Sequence, residues 1–368
     1  RSVIEFLAAK RLQQLIDKGM GIRAVKRLLF ADNAQGVRAV KPTMRPVAAW
    51  LAATQPAIFS EVHDREPEVL LNHADPESLP ADLRVDALLA YVEKHGKGGW
   101  RGLHVPRIQV HRFASNELGT EILRAWKTGI ENPEVRELLL EIIAAVPMHT
   151  GADIAYEVVL SKSAELEERI HALDALINLA DPRLDEVTQA MVADEGIWTS
   201  RLLNSCIPRL FPDHISVERL SKLLARTILK KNEVNFLSYL WTPLIAEKQI
   251  SLDRLEALRH ELMQLVTEGI KWEVHHRHIR SPRQHLVTPL AAICLRQIKA
   301  NQFTPKVVES SVLALRLCKN DHRARDEAPV SELRQELANA PPHVRSMTFW
   351  ASDAFNQQCG SGKPEDNA

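Results

Sequence analysis

The segment Arg84-Val85-Asp86-Ala87-Leu88 returns as Arg169-Ile170-His171-Ala172-Leu173 and again as Arg254-Leu255-Glu256-Ala257-Leu258. Both intervals are 85 residues long. Each copy lies in a stretch whose apolar residues recur at the spacing of an amphipathic helix. The small Ala lets neighbouring helices approach closely, and the aliphatic residue and the Leu fill the core between them. The stem of the Arg is expected to cover apolar surface while its guanidinium stays in water. The copies therefore predict a repeated helical unit.

The interval fits two consecutive helical pairs, because HEAT-type repeats have about 40–47 residues each. Helix-start signals support this interpretation, since Asn132-Pro133-Glu134 places a capping residue, a proline and an acid in succession. Alternating strand patterns are rare, and the one candidate, Val105 to Phe113, is expected to be loop. The sequence predicts an all-α fold, an irregular HEAT-like helical-repeat solenoid.

Composition divides the chain into three predicted parts. Residues 1–60 form a first helical block, residues 61–340 carry the HEAT-like repeats, and residues 341–368 form a C-terminal segment. From Phe355 onward the chain is polar and has little to bury, so we expect this tail to be disordered.

The charge balance narrows the class of function. The 368 residues include 47 Lys and Arg against 47 Asp and Glu, which gives a net charge of zero. Because non-specific nucleic-acid binding depends on uncompensated positive charge, nucleic acid is an unlikely partner. No apolar stretch approaches the roughly 20 residues of a membrane span, so no membrane contact is expected. The four cysteines lack paired spacing, which favours reduced thiols and a cytoplasmic protein.

The first nine residues form a second informative stretch, Arg1-Ser2-Val3-Ile4-Glu5-Phe6-Leu7-Ala8-Ala9. Their pattern is that of an amphipathic helix with Ser2 and Glu5 at capping-box spacing. The stretch also resembles the segment that closes the ATPase module of NACHT-type STAND proteins, Arg-Ser-x-Gln-Glu-Phe-Leu-Ala-Ala, which Phe-x-His precedes there. Ile4 departs from the family pattern, and the Phe-x-His would lie before Arg1. The match covers about ten residues of the 368.

The resemblance implies a non-catalytic sensor arm of an ATP-gated, oligomerising switch, which in bacteria is often part of antiviral defence. The phosphate-binding loop and the magnesium carboxylates would then lie upstream, so ATP and Mg²⁺ are expected there and no cofactor in this chain. The arm would recognise a protein ligand on the concave face of its solenoid, and the upstream module would drive oligomerisation. The alternative function is that of a HEAT-like nucleic-acid-binding or processing protein, which would bind the phosphate backbone.

Residues 271–285 hold the most unusual charge pattern of the chain. Four cations stand against Glu273, and a tryptophan is available for stacking. The pattern indicates a binding patch for phosphate or an acidic partner, formed by Lys271, Trp272, Arg277, Arg280 and Arg283. Four histidines could add positive charge at lower pH: His275, His276, His278 and His285. The competing interpretation is a solvated loop between repeats.

Other motifs argue against chemistry in this chain. His275 and His278 lie one helical turn apart, but no third ligand lies near them, so no metal site is predicted. The run from Gly360 to Lys363 resembles a phosphate-binding loop but is followed by Pro364, where a Ser or Thr should bind magnesium. The sequence contains no nucleophile elbow and no pair of carboxylates at convincing spacing. The acids Glu165, Glu167 and Glu168 lie near the start of a predicted helix, where negative charge is favourable to the helix dipole, so a structural role suffices for them. No catalytic residue is predicted.

Overall fold

The computed structural model describes residues 2–75, 78–227, 237, 245, 250–273, 278–319 and 322–360. Within these residues there are twenty α-helices, and the only strands are four short ones in two hairpins. The predicted all-α, repeat-like fold is confirmed. The contacts divide the chain into two compact units, Arg1–Leu184 and Asp185–Ala368. This division lies inside the stretch that the sequence assigns to a single repeat array.

Unit 1 contains eleven complete helices among its described residues. They are α1 Ser2–Asp17, α2 Ile22–Leu29, α3 Arg45–Ala52, α4 Pro56–Arg65, α5 Pro67–His73, α6 Ala81–His95, α7 Arg107–Phe113, α8 Gly119–Lys127, α9 Pro133–Ala145, α10 Ala152–Leu160 and α11 Leu166–Asn178. Helices α3, α5, α7, α9 and α11 pack one on the next, and α4, α6 and α8 form a second series. This alternation of two packed series is typical of stacked helical pairs.

Helix α9 shows how local sequence builds this packing. The side chain of Asn132 accepts the N–H of Glu134 at 3.0 Å and so caps the helix, as the sequence predicts. The Asn132 side-chain amide also donates to the carbonyl of His95 at 2.9 Å. The carbonyl of Gly96 accepts the N–H groups of Glu131 and Asn132 at 2.9 and 3.0 Å. One buried asparagine therefore starts α9 and ties it to the end of α6.

The prediction of a loop for Val105 to Phe113 is wrong, because helix α7 occupies Arg107–Phe113. The carbonyl of Pro106 accepts the N–H groups of Gln109 and Val110 and begins the helix. Val110 and Phe113, three residues apart, are both 1% exposed. The burial of one helical face decides the conformation here, and the short alternation of apolar and polar residues does not.

Two hairpins interrupt the helices, and the sequence predicted neither. In unit 1, β1 Phe30–Asp32 pairs antiparallel with β2 Arg38–Val40. The side chain of Asn33 accepts the N–H groups of Gln35 and Val37 at 2.9 Å each, which closes the turn. In unit 2, β3 Lys271–Glu273 pairs antiparallel with β4 His278–Arg280. Strands of three residues are too short to show a period of two in the sequence.

Unit 2 is built of the remaining helices. They are α12 Leu184–Ala193, which begins at the division, α13 Ser200–Leu210, α14 Val217–Ala225, α15 Leu252–Thr267, α16 Val287–Lys299, α17 Pro305–Cys318, α18 His322–Asp326, α19 Ala328–Asn339 and α20 Pro342–Gly360. Helices α14, α15, α16 and α17 pack in succession, α16 also contacts α19, and α17 also contacts α20. Helix α20 continues beyond Phe355, where the sequence predicts a tail, and residues 361–368 lie outside the described residues.

Two of the three repeated arginines, Arg169 and Arg254, do not behave as the sequence predicted. Arg169 is 5% exposed, and its Nε donates to the carbonyl of Val159 at 3.1 Å. Arg254 donates from Nη2 to the carbonyl of Ile215 at 2.8 Å. These guanidiniums are directed into the protein, because the carbonyls at the ends of helices and in tight connections lack intrahelical donors. Arg169 and Arg254 therefore join neighbouring segments of the main chain, whereas Nη2 of Arg84 lies 3.9 Å from Oε2 of Glu117.

Candidate functional site

The patch predicted in residues 271–285 lies partly on the hairpin of unit 2. Lys271 begins β3 and Arg280 ends β4, both are exposed, and their Cα atoms are partners across the hairpin. Trp272 pairs with Ile279 in the same ladder. Arg277 lies outside the described residues. Within the described residues of the predicted patch, the structure thus brings Lys271 and Arg280 together.

Arg283, the last cation of the predicted patch, is held by the protein itself. Its Nη2 donates to the carbonyl of Ala225 at 3.1 Å, and its Nη1 donates to the carbonyl of Leu265 at 3.3 Å. The same Nη1 lies 2.8 Å from Oε2 of Glu268. Ala225 ends α14 and Leu265 lies in the last turn of α15, so both carbonyls are among those a helix cannot satisfy by itself. Arg283 joins two helices and is not directed toward an external anion.

His285 does not gain a positive charge at mildly acidic pH, contrary to the expectation from sequence. Its Nε2 lies 3.0 Å from Oγ1 of Thr227. Burial, and after it the charge of Arg283, lowers the pKa of His285 to about 4. The ring therefore remains neutral at the pH values at which a surface histidine would gain a proton.

A second charged site lies in unit 1, and the sequence analysis missed it. Glu134, Glu137 and Glu141 occupy positions i, i+3 and i+7 of α9, which places them on one face of the helix. A groove of about 350 Å³ runs along this face. The residues that define its chemistry are Tyr91, Trp100, Arg107, Glu137, Glu141 and Glu167. We call this site the acidic groove.

The loop that follows α6 brings an aromatic side chain to the acidic groove. Oε2 of Glu134 accepts the N–H of Arg101 at 2.8 Å, and Oε2 of Glu131 accepts the N–H of Gly98 at 3.3 Å. Gly98 has a φ of +89°, in the left-handed region that favours glycine. Between these anchors Trp100 lines the groove and is 59% exposed. A large exposed indole beside carboxylates is suited to contact with a cation.

The carboxylates of the acidic groove are weakly compensated. Oε1 of Glu141 lies 3.8 Å from Nε of Arg107, whose side chain is 74% exposed. Oε1 of Glu137 is buried and has no hydrogen-bond partner within the described part of the chain. Burial, followed by the charges of Glu167, Glu168, Glu134 and Glu165, raises the pKa of Glu137 to about 7. Burial also raises the pKa of Glu141 against the opposing effects of Arg107, His111 and His104.

Tyr91 of α6 contributes a polar group to the acidic groove. It lines the groove and is only 2% exposed. Its hydroxyl makes no hydrogen bond to any residue that the structure describes. Burial, followed by the charges of Glu134 and Glu68, raises the pKa of Tyr91, so the phenol stays protonated. A phenol oxygen at the edge of a groove can exchange water for a polar group of a ligand, so this hydroxyl is available for a ligand hydrogen bond.

Glu168 lies near the acidic groove and has a different role. It is fully buried, and its Oε2 accepts from Nη2 of Arg136 at 2.6 Å. The same oxygen accepts the N–H of Glu165 at 2.8 Å, which completes a capping box at the start of α11. Glu168 is thus a structural acid, as the sequence analysis expected, although an ion pair as well as the helix dipole holds it.

The acidic groove could have been suspected from the spacing of three glutamates on one helical face. No cluster of three or more His, Cys, Asp or Glu with the arrangement of a metal site is found among the described residues. In the same part of the chain, no helix combines the length and the hydropathy that crossing a bilayer would need. No family model, no curated protein and no solved structure matches the chain.

Proposed function

We propose that the chain is the non-catalytic, ligand-recognising arm of a NACHT-type STAND ATPase. The observation that carries the proposal is the division of helix α1, where the family resemblance lies, into two apolar faces. One face packs on α3, with the ring centroids of Phe6 and Trp50 5.0 Å apart and Ala9 4% exposed. On the other face Val3 is 67% and Ile4 73% exposed.

The exposed face of α1 supports a second packing partner. Apolar area removed from water contributes about 25 cal/mol per Å², so a helix that leaves Val3, Ile4 and Leu7 exposed forgoes that stabilisation. In the proposed arrangement, the upstream ATPase module covers this face and binds ATP and Mg²⁺. That module drives oligomerisation, and the present chain recognises a protein ligand. The proposal places the protein in the cytoplasm and, in a bacterium, in antiviral defence.

Nucleic acid is not the proposed ligand. Three arginines of unit 2 bond the main chain. Nη2 of Arg226 donates to the carbonyl of Trp198 at 2.9 Å, and Arg254 and Arg283 donate to carbonyls in the same way. A guanidinium that carbonyls inside the protein hold in place is not oriented toward an external phosphate.

The sequence upstream of Arg1 in the encoding gene tests the proposal directly. We expect Phe-x-His immediately before Arg1 and Gly-x-x-x-x-Gly-Lys-Ser or -Thr further upstream. The present chain by itself should neither bind nor hydrolyse ATP, as measured by calorimetry and phosphate release. An upstream sequence without a phosphate-binding loop overturns the proposal, and stoichiometric ATP binding by the chain alone overturns its non-catalytic role.

A matched pair of variants tests the exposed face of α1. Ile4 and Ile108 are 73% and 70% exposed, so Lys at either position should change the stability of the isolated chain by less than about 0.5 kcal/mol. In the complete encoded protein, Ile4→Lys should lower the melting temperature and Ile108→Lys should not. Equal behaviour of the two variants in the complete protein would show that nothing covers this face of α1.

A further inference from the structure

We propose that the acidic groove binds a cationic side chain, a guanidinium or an ammonium, from a basic segment of the protein ligand. The inference rests on the proposed function for the protein nature of the ligand. The chemistry of the groove is independent of the upstream ATPase. Three observations carry the inference: weakly compensated carboxylates, an exposed indole, and a phenol hydroxyl without a partner among the described residues, all in one groove.

The first observation is the charge of the groove. Glu137, Glu141 and Glu167 line it together with His104, His171 and a single guanidinium, that of Arg107, which is mostly in water. Oε1 of Glu137 is out of contact with solvent and has no hydrogen-bond donor among the described residues. A ligand N–H⁺ group that bonds the carboxylates on the open side of the groove would supply the missing positive charge in a strong, charge-assisted hydrogen bond.

The second observation is Trp100, which the main chain of its loop holds in the groove. Cations bind over the face of an indole more strongly than over other aromatic rings. An exposed indole next to carboxylates therefore offers two attractions to the same ligand group. A neutral or anionic ligand would gain neither the ion pair nor the cation–π contact.

The third observation is independent of the acidic cluster. The hydroxyl of Tyr91, in a residue that is 2% exposed, has no hydrogen-bond partner among the described residues. A phenol oxygen accepts hydrogen bonds as well as donating them, so it can receive a second N–H of the same cation. A guanidinium has five N–H donors, enough for both the glutamates and this oxygen.

The size of the groove favours one side chain over a large ligand. Its volume of about 350 Å³ is at the lower end of small-molecule sites, which span about 300–1,000 Å³. A metal ion is not favoured, since the described residues include no cluster arranged as a metal site. A free polyamine carries the same cationic groups as a basic segment, and competition between spermidine and a basic peptide distinguishes these two ligands.

Binding should depend on pH through Glu137. The charged or titratable groups that face it are Tyr91, His104, Arg107, Glu134, Glu141, Glu165, Glu167, Glu168 and His171. The pKa of Glu137 is about 7, so this carboxylate is largely protonated below neutrality and cannot form the ion pair. A bound cation favours the ionised form and releases a proton. Binding should therefore tighten between about pH 6 and about pH 8, and Glu137→Gln should weaken this dependence.

The test titrates the chain into a fluorescein-labelled peptide, Gly-Arg-Gly-Lys-Gly-Arg-Gly, and follows fluorescence anisotropy at about pH 8. We expect Glu137→Gln, Glu141→Gln and Trp100→Ala each to weaken binding by about tenfold, the effect of losing one charge-assisted or cation–π contact. Matched controls are Glu336→Gln, an exposed acid of α19, and Trp350→Ala, since Trp350 is 64% exposed against 59% for Trp100. Both controls should bind like the parent chain.

Two results would overturn the inference. Groove variants that bind as well as the controls would show that the acidic groove is not the site. In the second result, spermidine displaces the peptide when the two are compared at the same concentration of positive charge, and Glu137→Gln weakens the binding of both equally. The groove would then bind a small polycation and not a protein segment. Circular dichroism of each variant establishes that it is folded. Failure here leaves the upstream-sequence test of the proposed function unaffected, and the converse also holds.

Discussion

The two charged regions of the molecule differ in how their charges are satisfied. In unit 2, the cation-rich stretch 271–285 is conspicuous in the sequence, yet Arg283 donates to the carbonyls of Ala225 and Leu265 and pairs with Glu268. In unit 1, the acidic groove is inconspicuous in the sequence, yet Glu137 has a buried oxygen without a donor in the described part of the chain. Local charge density therefore does not identify a site. Unsatisfied charge in a groove is the better indicator.

The contrast has a general physical cause. An arginine has five donors and a long stem, so it can reach carbonyls at the ends of neighbouring helices. A glutamate at a groove lacks donors unless another element supplies them. Glu168 receives two, from Arg136 and from the main chain of Glu165, and becomes structural. Glu137, one turn along α9 from Glu134, receives none among the described residues.

The largest expected effect is on the structural acid of unit 1. Glu168→Gln removes the charge that compensates Arg136 inside the protein, so we expect the free energy of unfolding to fall by about 2–3 kcal/mol. Urea denaturation followed by circular dichroism measures the loss. Glu336→Gln, at an exposed position of α19, is the control and should change stability by less than about 0.5 kcal/mol. A Glu168 variant as stable as this control would remove the distinction between structural and unsatisfied acids.

The next largest expected loss of stability follows from replacing Arg283 of unit 2, which the sequence assigned to a binding patch. Arg283→Met keeps the apolar stem but leaves the carbonyls of Ala225 and Leu265 without this donor, which we expect to cost about 2 kcal/mol. Lys271→Met removes an equal charge from the exposed hairpin and should cost less than about 0.5 kcal/mol. If Lys271→Met is the more costly change, the structural role assigned to Arg283 is wrong.

The smallest expected effect is a gain in stability, on replacing Glu137, that is present only at the higher pH. The pKa of Glu137 is about 7 in the folded chain against an ordinary value of 4.5. Between these values the unfolded chain loses the proton that the folded chain keeps, so wild-type stability falls as pH rises through this range. We expect Glu137→Gln to be more stable than the parent by about 1 kcal/mol at about pH 8, after allowance for solvent screening, and unchanged at about pH 5.

Thermal denaturation of Glu137→Gln and the parent at both pH values checks this prediction, with Glu336→Gln as the control for a generic charge effect. A gain that is the same at both pH values would contradict it, because removal of a titrating carboxylate must act through the ionised form. A loss of stability at the higher pH would place Glu137 with Glu168 among the structural acids.

Much of the helical architecture was predictable because its signals are local. Asn132 caps α9 as the sequence predicts, and Ser216, Ser251 and Thr304 each accept a main-chain N–H at the start of the helix that follows them. Leu255, Leu258, Leu262 and Val266 are all buried along one face of α15. These features depend on residues within a few positions of one another, which is the range over which sequence patterns are informative.

The acidic groove could be predicted only in part. The spacing of Glu134, Glu137 and Glu141 places them on one face of α9, but it does not say what lies opposite that face. Trp100 comes to the groove because Glu131 and Glu134 bind the main chain of its loop. Tyr91 comes to it from α6, whose buried residues include Ala87, Leu88 and Tyr91. These neighbours are tens of residues away in the chain.

The sequence by itself determined the helical class, the positions of several caps and the apolar faces, since short-range hydrogen bonds and helical periodicity specify them. Only the tertiary structure decided which charges are satisfied. A guanidinium or a carboxylate finds its partner on another helix, as Arg283 does and as Glu137 does not within the described residues. Charge compensation in a folded chain is a long-range property, because it depends on which elements pack together and how much water they exclude.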